Sequence, residues 1–236
     1  MTSTSDGDGR GALARRLVDA QPADMGLLRR ICFAAVEALS ASGSGISVMT
    51  ADGTRGVSAT SDPVSEHVEE LQFILGEGPC IDAFAARRPV LAADLSDAGD
   101  HRWPVYTPAA QDAGVRAVFA FPLQVGAARL GVMDVFRDRT GPMSGPELQL
   151  AFAFAELTVK VLLDLQQGEV AADDGATVLD VGRRAELFQA QGMVMMQLGV
   201  SIGEALVRIR AYAFAENRRL EDVAHDIVQR RLRLDG

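Results

Sequence analysis

The sequence predicts an α+β domain, a single antiparallel sheet flanked by helices, followed by a small all-α module of three helices. Three observations carry this. Up to residue 166 the chain alternates helical and strand-like patterns in the order helix, hairpin, helix, strand, loop, strand pair, helix. Beyond that, apolar residues recur three and four apart in three successive runs with almost no linker between them. Charge divides the same way: from Arg183 to Gly236 there are nine Arg against seven Asp and Glu, a local +2 in a chain whose net charge is −9.

Composition sets the frame. A hydrophobic fraction of 48% supports a sizeable core. No apolar run approaches the eighteen or so residues of a membrane span. Residues 1–11 are mostly Ser, Thr, Asp and Gly and read as a disordered tail, without the basic flank and apolar core of a signal peptide. Cys32 and Cys80 lie far apart and show no metal-site spacing, so a reduced, cytoplasmic protein is expected. An acidic body with a mildly basic end suits nucleic-acid contact confined to the C-terminal module. The same arginines (Arg208, Arg210, Arg218, Arg219, Arg230, Arg231, Arg233) equally fit a solvated helix surface.

Taken in order, residues 12–41 read as helix, with Leu13, Leu17, Leu27, Leu28, Ile31, Val36 and Leu39 at helical spacing. Pro22 interrupts, and Asp24 is available to cap the second piece. Ser42-Gly43-Ser44-Gly45 closes it. Ile46–Thr50 is β-rich, Ala51-Asp52-Gly53 signals a hairpin, and Gly56–Thr60 returns as its partner. Asp62-Pro63 opens the next helix in the favoured order of cap and proline, with Val64, Val68, Leu71 and then Ile74 or Leu75 along its face. Gly76-Glu77-Gly78-Pro79 makes a tight turn in which Pro79 starts a short helix, and Pro89 ends it.

Val90–Leu95 predicts a short strand, residues 96–108 a polar loop, and Ala109–Ala113 a helical turn or two. Ala117–Val125, a Gly126 turn and Leu130–Phe136 form an antiparallel pair. Ser144 with Glu147 is a capping box for a helix running through Leu157, Val161 and Leu165. Residues 167–182 are a linker or helical connector, with Asp173-Asp174-Gly175 at the junction. The module of residues 183–236 then follows. Val178, Val181, Ala185, Phe188, Gly192 and Met195 line its first helix, which Gly199 ends in a left-handed cap. Ser201 and Glu204 box the start of the second, which Asn217 closes, and Leu220, Val223, Ala224 and Ile227 line the third.

Here the residues carry a resemblance. Ala190-x-Gly192, Glu204-Ala205, Arg210-x-x-Ala213 and Asn217-Arg218-x-Leu220-x-x-Val223-Ala224 resemble the ANTAR domain, a helical RNA-binding module of bacterial transcription antiterminators. The chain has Gln191 where that family usually has a lysine, which would be a natural phosphate contact. Leu75-Gly-Glu-Gly-Pro-Cys80, Asp94-Leu95, Arg102-Trp103-Pro104, Gly114-Val115-Arg116 and Phe121-Pro122-Leu123, together with the element order, are similar to the GAF domain that precedes ANTAR in many actinobacterial regulators. The GAF resemblance covers residues 24–166. It places the sensor or dimerisation domain within residues 12–166.

The resemblance implies an RNA-binding antitermination regulator that acts as a homodimer on paired RNA hairpins, with a GAF domain that meets a small molecule or a protein partner. It names no cofactor. RNA contacts are expected at Ala190, Gln191, Gly192, Arg210, Ala213, Asn217 and Arg218, with Tyr212 and Phe214 as stacking or core groups. The small residues among these also fit plain helix packing.

A sensor pocket is expected around Cys80, Asp94 and Trp103. Cys80 follows a proline turn at a helix start, where a thiol becomes more acidic; a small buried side chain is the competing reading. The loop of His101-Arg102-Trp103 either closes a pocket or covers the core. His67, His101 and His225 share no ligand spacing, and no catalytic motif occurs. Two other functions remain open: a Cys-based redox sensor or sulfoxide-reducing enzyme centred on Cys80, and a DNA-binding regulator.

Overall fold

In the computed structural model residues 3–49, 55–97, 101–167, 177–216 and 218–234 are described. Two helices open the chain, α1 (Ser3–Asp19) and α2 (Leu27–Ala38). α1 begins inside the stretch expected as a disordered tail. Its later turns bury Ala14 and Val18 in the core, and a helix nucleated there extends backward at one hydrogen bond per residue. Asp24 does not cap α2. Residues 22–25 close as a turn, Met25 N–H to Pro22 C=O at 3.3 Å, and Gly26 takes the cap position without a side-chain bond.

The hairpin is β1 (Gly43–Met49) with β2 (Arg55–Thr60), and its expected Ala51–Gly53 turn lies outside the described residues. The strand expected over Val90–Leu95 is the shorter β3 (Val90–Ala92). β4 (Ala117–Val125) and β5 (Ala128–Arg137) form the strand pair. The five strands are ordered β2-β1-β5-β4-β3 with every pairing antiparallel.

Strand alternation gives the sheet two unlike faces. Phe119, Phe121 and Leu123 of β4 and Met133 and Val135 of β5 pack on α1, α2 and α6 (Gly145–Gln167). Val118, Ala120, Val132 and Phe136 turn the other way, toward α3 (Pro63–Leu75), α4 (Pro79–Ala86) and α5 (Tyr106–Asp112). α5 starts three residues earlier than its sequence pattern, because Tyr106 is itself a core side chain.

The predicted helix starts are made as their chemistry requires. Asp62 accepts the N–H groups of Val64 and Ser65 at 3.0 Å, with Pro63 at the first helical position. At α6 the Ser144 N–H donates to Glu147 and the Glu147 N–H donates back to the Ser144 hydroxyl. Buried Arg137 of β5 ties this corner together, reaching Glu147 at 2.6 Å and the Leu39 carbonyl at 2.8 Å.

The C-terminal helices α7 (Thr177–Leu198), α8 (Ile202–Ala215) and α9 (Leu220–Val228) close around Ala190, Val194, Ile209, Ala213, Val223 and Ile227. α7 takes in residues 177–182 of the stretch expected as a connector. Gly199 (φ 66°) caps α7 as expected, and the Ser201 hydroxyl accepts the Glu204 N–H at the start of α8. Glu204 pairs with Arg208 rather than completing the box.

Candidate sensor core and nucleic-acid interface

The α3 face of the sheet holds a polar knot inside an apolar shell. Glu69 and Gln72 of α3, Asp134 of β5 and Tyr106 of α5 are completely buried, as is Cys80 of α4. The Asp62 cap fixes the rotation of α3, so that Ser65, Val68, Glu69 and Gln72 face inward. Ser47 of β1 donates to Glu69 at 2.9 Å, and Gln72 donates to Asp134 at 2.9 Å. The Cys80 backbone N–H donates to the Gln72 amide oxygen at 2.8 Å.

Two glycines make room for this. A Cβ on Gly45 would stand 2.5 Å from the Glu69 carboxylate, and one on Gly78 2.5 Å from the Gln72 amide oxygen. Gly78 also sits at φ 139°, a conformation costly for any other residue.

Burial pushes the Glu69 carboxyl well above its ordinary range, and the neighbouring Asp134 charge pushes it further. Asp134 is also raised by burial, while hydrogen bonds from Glu69, Gln72 and the Cys80 thiol pull it back. Both directions favour the protonated form within the pair. Glu69 Oε1, Asp134 Oδ1 and the Tyr106 hydroxyl have no hydrogen-bond partner. Burial raises that phenol well above its usual range, reinforced by Asp134, Glu69 and Cys80.

Of the expected sensor-pocket residues, Cys80 and Trp103 share this core. Trp103 is buried, donates its indole N–H to Asp82 at 3.1 Å and stacks edge-on against Tyr106. It also borders a surface depression of about 280 Å³. Asp94 is not with them. Its exposed carboxylate accepts the Ser96 hydroxyl at 2.6 Å and N–H at 2.8 Å, which hold its pKa low. Cys32 belongs to the other core, across the sheet, with its thiol on the Ala59 carbonyl.

Sequence reasoning missed Glu69, Gln72 and Tyr106 as a unit with Asp134. The available signal was Asp134 itself: an acid in the middle of β5, in the same inward register as Val132 and Phe136.

In the helical module, Ala190 and Ala213 are core residues, and Gln191 is also buried, at 5% exposure. Asn217 lies outside the described residues. Arg218 pairs with Asp226 at 2.6 Å. Arg210 points to the first domain, its guanidinium 3.4 Å from where a Cβ on Gly76 would stand. Gly192 lines a groove of about 810 Å³ between α7 and the C-terminal arm, with Gln189, Met193, Met196, Arg230 and Arg233. No atom lies within 4 Å of where a Gly192 Cβ would be, so packing does not demand a glycine there. Met196 is 77% exposed. Phe214 is half exposed and Tyr212 packs on the module core. The structure thus gathers Gly192 with Arg230 and Arg233, two arginines that charge alone left as solvated surface.

The two parts are joined through α3. Arg219, just before α9, reaches Glu66 at 2.6 Å and Glu70 at 2.9 Å, while Ile74 packs on the module core. One helix thus carries the buried acid on its inner face and the clasp to the helical module on its outer face.

A sheet domain with a polar interior is clasped to a helical module with a cationic groove. Family models agree with it. The model described as GAF domain matches residues 26–162, and that described as ANTAR domain matches residues 180–228. The chain belongs to the GAF domain family and carries a C-terminal ANTAR domain, the architecture of a regulator.

Among solved structures, it is similar to the GAF domain of a phosphoenolpyruvate-protein phosphotransferase from Coxiella burnetii (TM-score 0.52, 19% identity, covering 72% of this chain and 100% of that one). It is also similar to the GAF domain of the Acinetobacter phosphoenolpyruvate-protein phosphotransferase (TM-score 0.51, 11% identity, 72% and 100% covered). A free methionine-R-sulfoxide reductase from Neisseria meningitidis aligns at TM-score 0.49 and 14% identity, covering 69% of this chain and 91% of that one. The two likenesses to GAF domains show the fold alone. Among the curated proteins none matches. Among the described residues, no single helix is long and apolar enough to cross a membrane.

Proposed function

We propose that the chain is an RNA-binding transcription antitermination regulator, in which the GAF domain controls access of the ANTAR module to paired RNA hairpins. The observation that carries this is the order of the two domains along one chain, with α3 shared between them. The RNA is held in the groove of Gly192, Arg230 and Arg233, where guanidinium groups meet phosphates and an absent side chain lets the backbone come close. The chain works as a cytoplasmic homodimer. Two tethered modules then meet a two-hairpin target at a local concentration on the order of mM, so pairing alone changes affinity by ~100-fold or more. A ligand or partner of the GAF domain acts by favouring one arrangement of the clasp over another.

Separation of the two cysteines into opposite cores of the sheet argues against a redox pair. Nothing in the geometry favours the DNA-binding reading.

The test is binding of the full-length protein to a pool of tandem-hairpin RNAs, against duplex DNA of matched sequence, at two salt concentrations. Selective RNA binding is expected. Changing both Arg230 and Arg233 to Ala should lower the salt slope by about 2 and weaken all RNAs alike. Arg219→Ala, which opens the clasp, should strengthen binding. Equal affinity for duplex DNA, or undiminished RNA affinity after truncation before Val178, would overturn the reading.

A further inference from the structure

Inside the GAF domain, Glu69, Asp134 and Cys80 each offer one ligand atom, and these atoms all lie within 4.8 Å of one another. They come from α3, β5 and α4, so the fold rather than a local sequence motif assembles them. All three are fully buried. Beside them stands the Tyr106 hydroxyl, also fully buried and without a hydrogen-bond partner, as are Glu69 Oε1 and Asp134 Oδ1. Three orphan polar atoms in one apolar core each cost roughly 1–3 kcal/mol if nothing satisfies them. We propose that this knot is a binding site for one borderline divalent transition-metal ion, Zn²⁺ in the first instance, held by Glu69, Asp134 and the Cys80 thiolate, with Tyr106 at the fourth position.

The donor set selects the ion. One sulfur and two carboxylates suit zinc or a neighbouring first-row metal, whereas calcium takes six to eight oxygens and magnesium a near-octahedral set with retained waters. At metal–ligand distances of about 2.0–2.3 Å, tetrahedral ligand atoms stand roughly 3.5 Å apart. Closing from 4.8 Å or less asks for about an ångström of side-chain motion.

Charge complementarity favours the ion. Three anionic ligands around a dication leave a net −1, so the metal offsets most of the charge its own ligands bring into the apolar core. Ser47 and Gln72, which already hold the outer carboxylate oxygens of Glu69 and Asp134, orient both ligands. Gly45 and Gly78 keep open the space that these side chains fill.

The site stands independently of RNA binding. Only the further step, in which an ion pulling on Glu69 shifts α3 and the Arg219 clasp, rests on the regulatory reading.

The experiment is titration of the chelator-stripped full-length protein with Zn²⁺ and with Co²⁺ in weak buffer at pH 7.5, without RNA. One equivalent should bind with release of protons, and Co²⁺ should show a thiolate-to-cobalt charge-transfer band. Cys80→Ser should abolish the band and weaken Zn²⁺ by about 100-fold or more, and Glu69→Gln should weaken it at least about 10-fold. Cys32→Ser, altering the thiol on the opposite face, should change neither. Thermal melting of each variant reports folding, and the native titration decides by itself if a variant fails to fold. No stoichiometric uptake by native protein, or a band that survives Cys80→Ser, overturns the proposal.

Discussion

The two faces of one sheet are built on different terms. Toward α1, α2 and α6 the packing is aliphatic and aromatic, with Ile31, Phe119, Phe121, Met133 and Phe154 among its fully buried members. Toward α3, α4 and α5 the same strands turn Val118, Val132 and Phe136, but also Asp134, which meets Glu69, Gln72 and Cys80. Successive residues of β5 serve the two sides in turn. The apolar face provides stability from area removed from water. The polar face spends part of that stability to hold ionisable groups in an apolar interior. The difference teaches how the two faces are used in the fold: the costly face is also the one whose helix α3 reaches the ANTAR module.

Three substitutions break or sharpen this contrast, from the largest effect downward. Phe121→Ala, on the apolar face, removes a fully buried ring that stacks edge-on with Phe152 at 5.5 Å. It should cost about 3–5 kcal/mol in denaturant unfolding. A loss under about 1 kcal/mol would show that this face is not the stabilising one.

Glu69→Gln, on the polar face, should act oppositely in metal-free protein. A carboxyl whose folded pKa is raised binds more protons folded than unfolded, so its cost is absent below about pH 4.3, its unfolded pKa. That cost then grows as pH rises toward the folded value. The amide keeps a donor for Asp134 without that cost. Melting at pH 8 should rise by about 2–4 °C or more, with little change at pH 4. An equal shift at both pH values would deny the buried charge its role.

Asp62→Ala, at the start of the same helix, should cost about 1 kcal/mol through the lost cap. Here the pH sense is reversed. Burial raises this carboxyl, but hydrogen bonds from the Ser61 and Ser65 side chains and from the Ser65 and Val64 N–H groups outweigh it and set the pKa low. Its contribution is present above about pH 3.9 and is lost as pH falls through the folded value. Both variants should therefore approach the parent at low pH and part from it as pH rises, Asp62→Ala falling below it and Glu69→Gln rising above it.

Local chemistry made much of the fold readable from sequence. Asp62-Pro63, Ser144 with Glu147, Pro79 and Gly199 act within a few residues of themselves, and each does in the structure what its type allows. Strand alternation in β4 and β5 was equally local. What sequence withheld depends on distant partners. Glu69 and Glu70 are adjacent acids that nothing local tells apart; only the docking of α3 on β1 and β5 turns one inward and the other toward Arg219. Asp94 reads as a pocket acid and instead stabilises its own turn. Arg230 and Arg233 become a groove wall only when the C-terminal arm folds back along α7. Gln191, at the position of the family's usual lysine, points into the module, so the family alignment and the cationic surface part company there.

The clasp between Arg219 and the acids of α3 has a consequence for sensitivity. Arg219 and Glu66 are about four-tenths exposed, and a pair of this kind is worth roughly 0–1 kcal/mol, whereas Glu70 is largely covered. Together with the packing of Ile74 on the module core, these pairs weight the joined arrangement against a parted one. A signal that prefers one of them by about 1.4 kcal/mol then multiplies their ratio tenfold. The balance at such a junction drifts with ionic strength, because water and salt reach the Arg219–Glu66 charges.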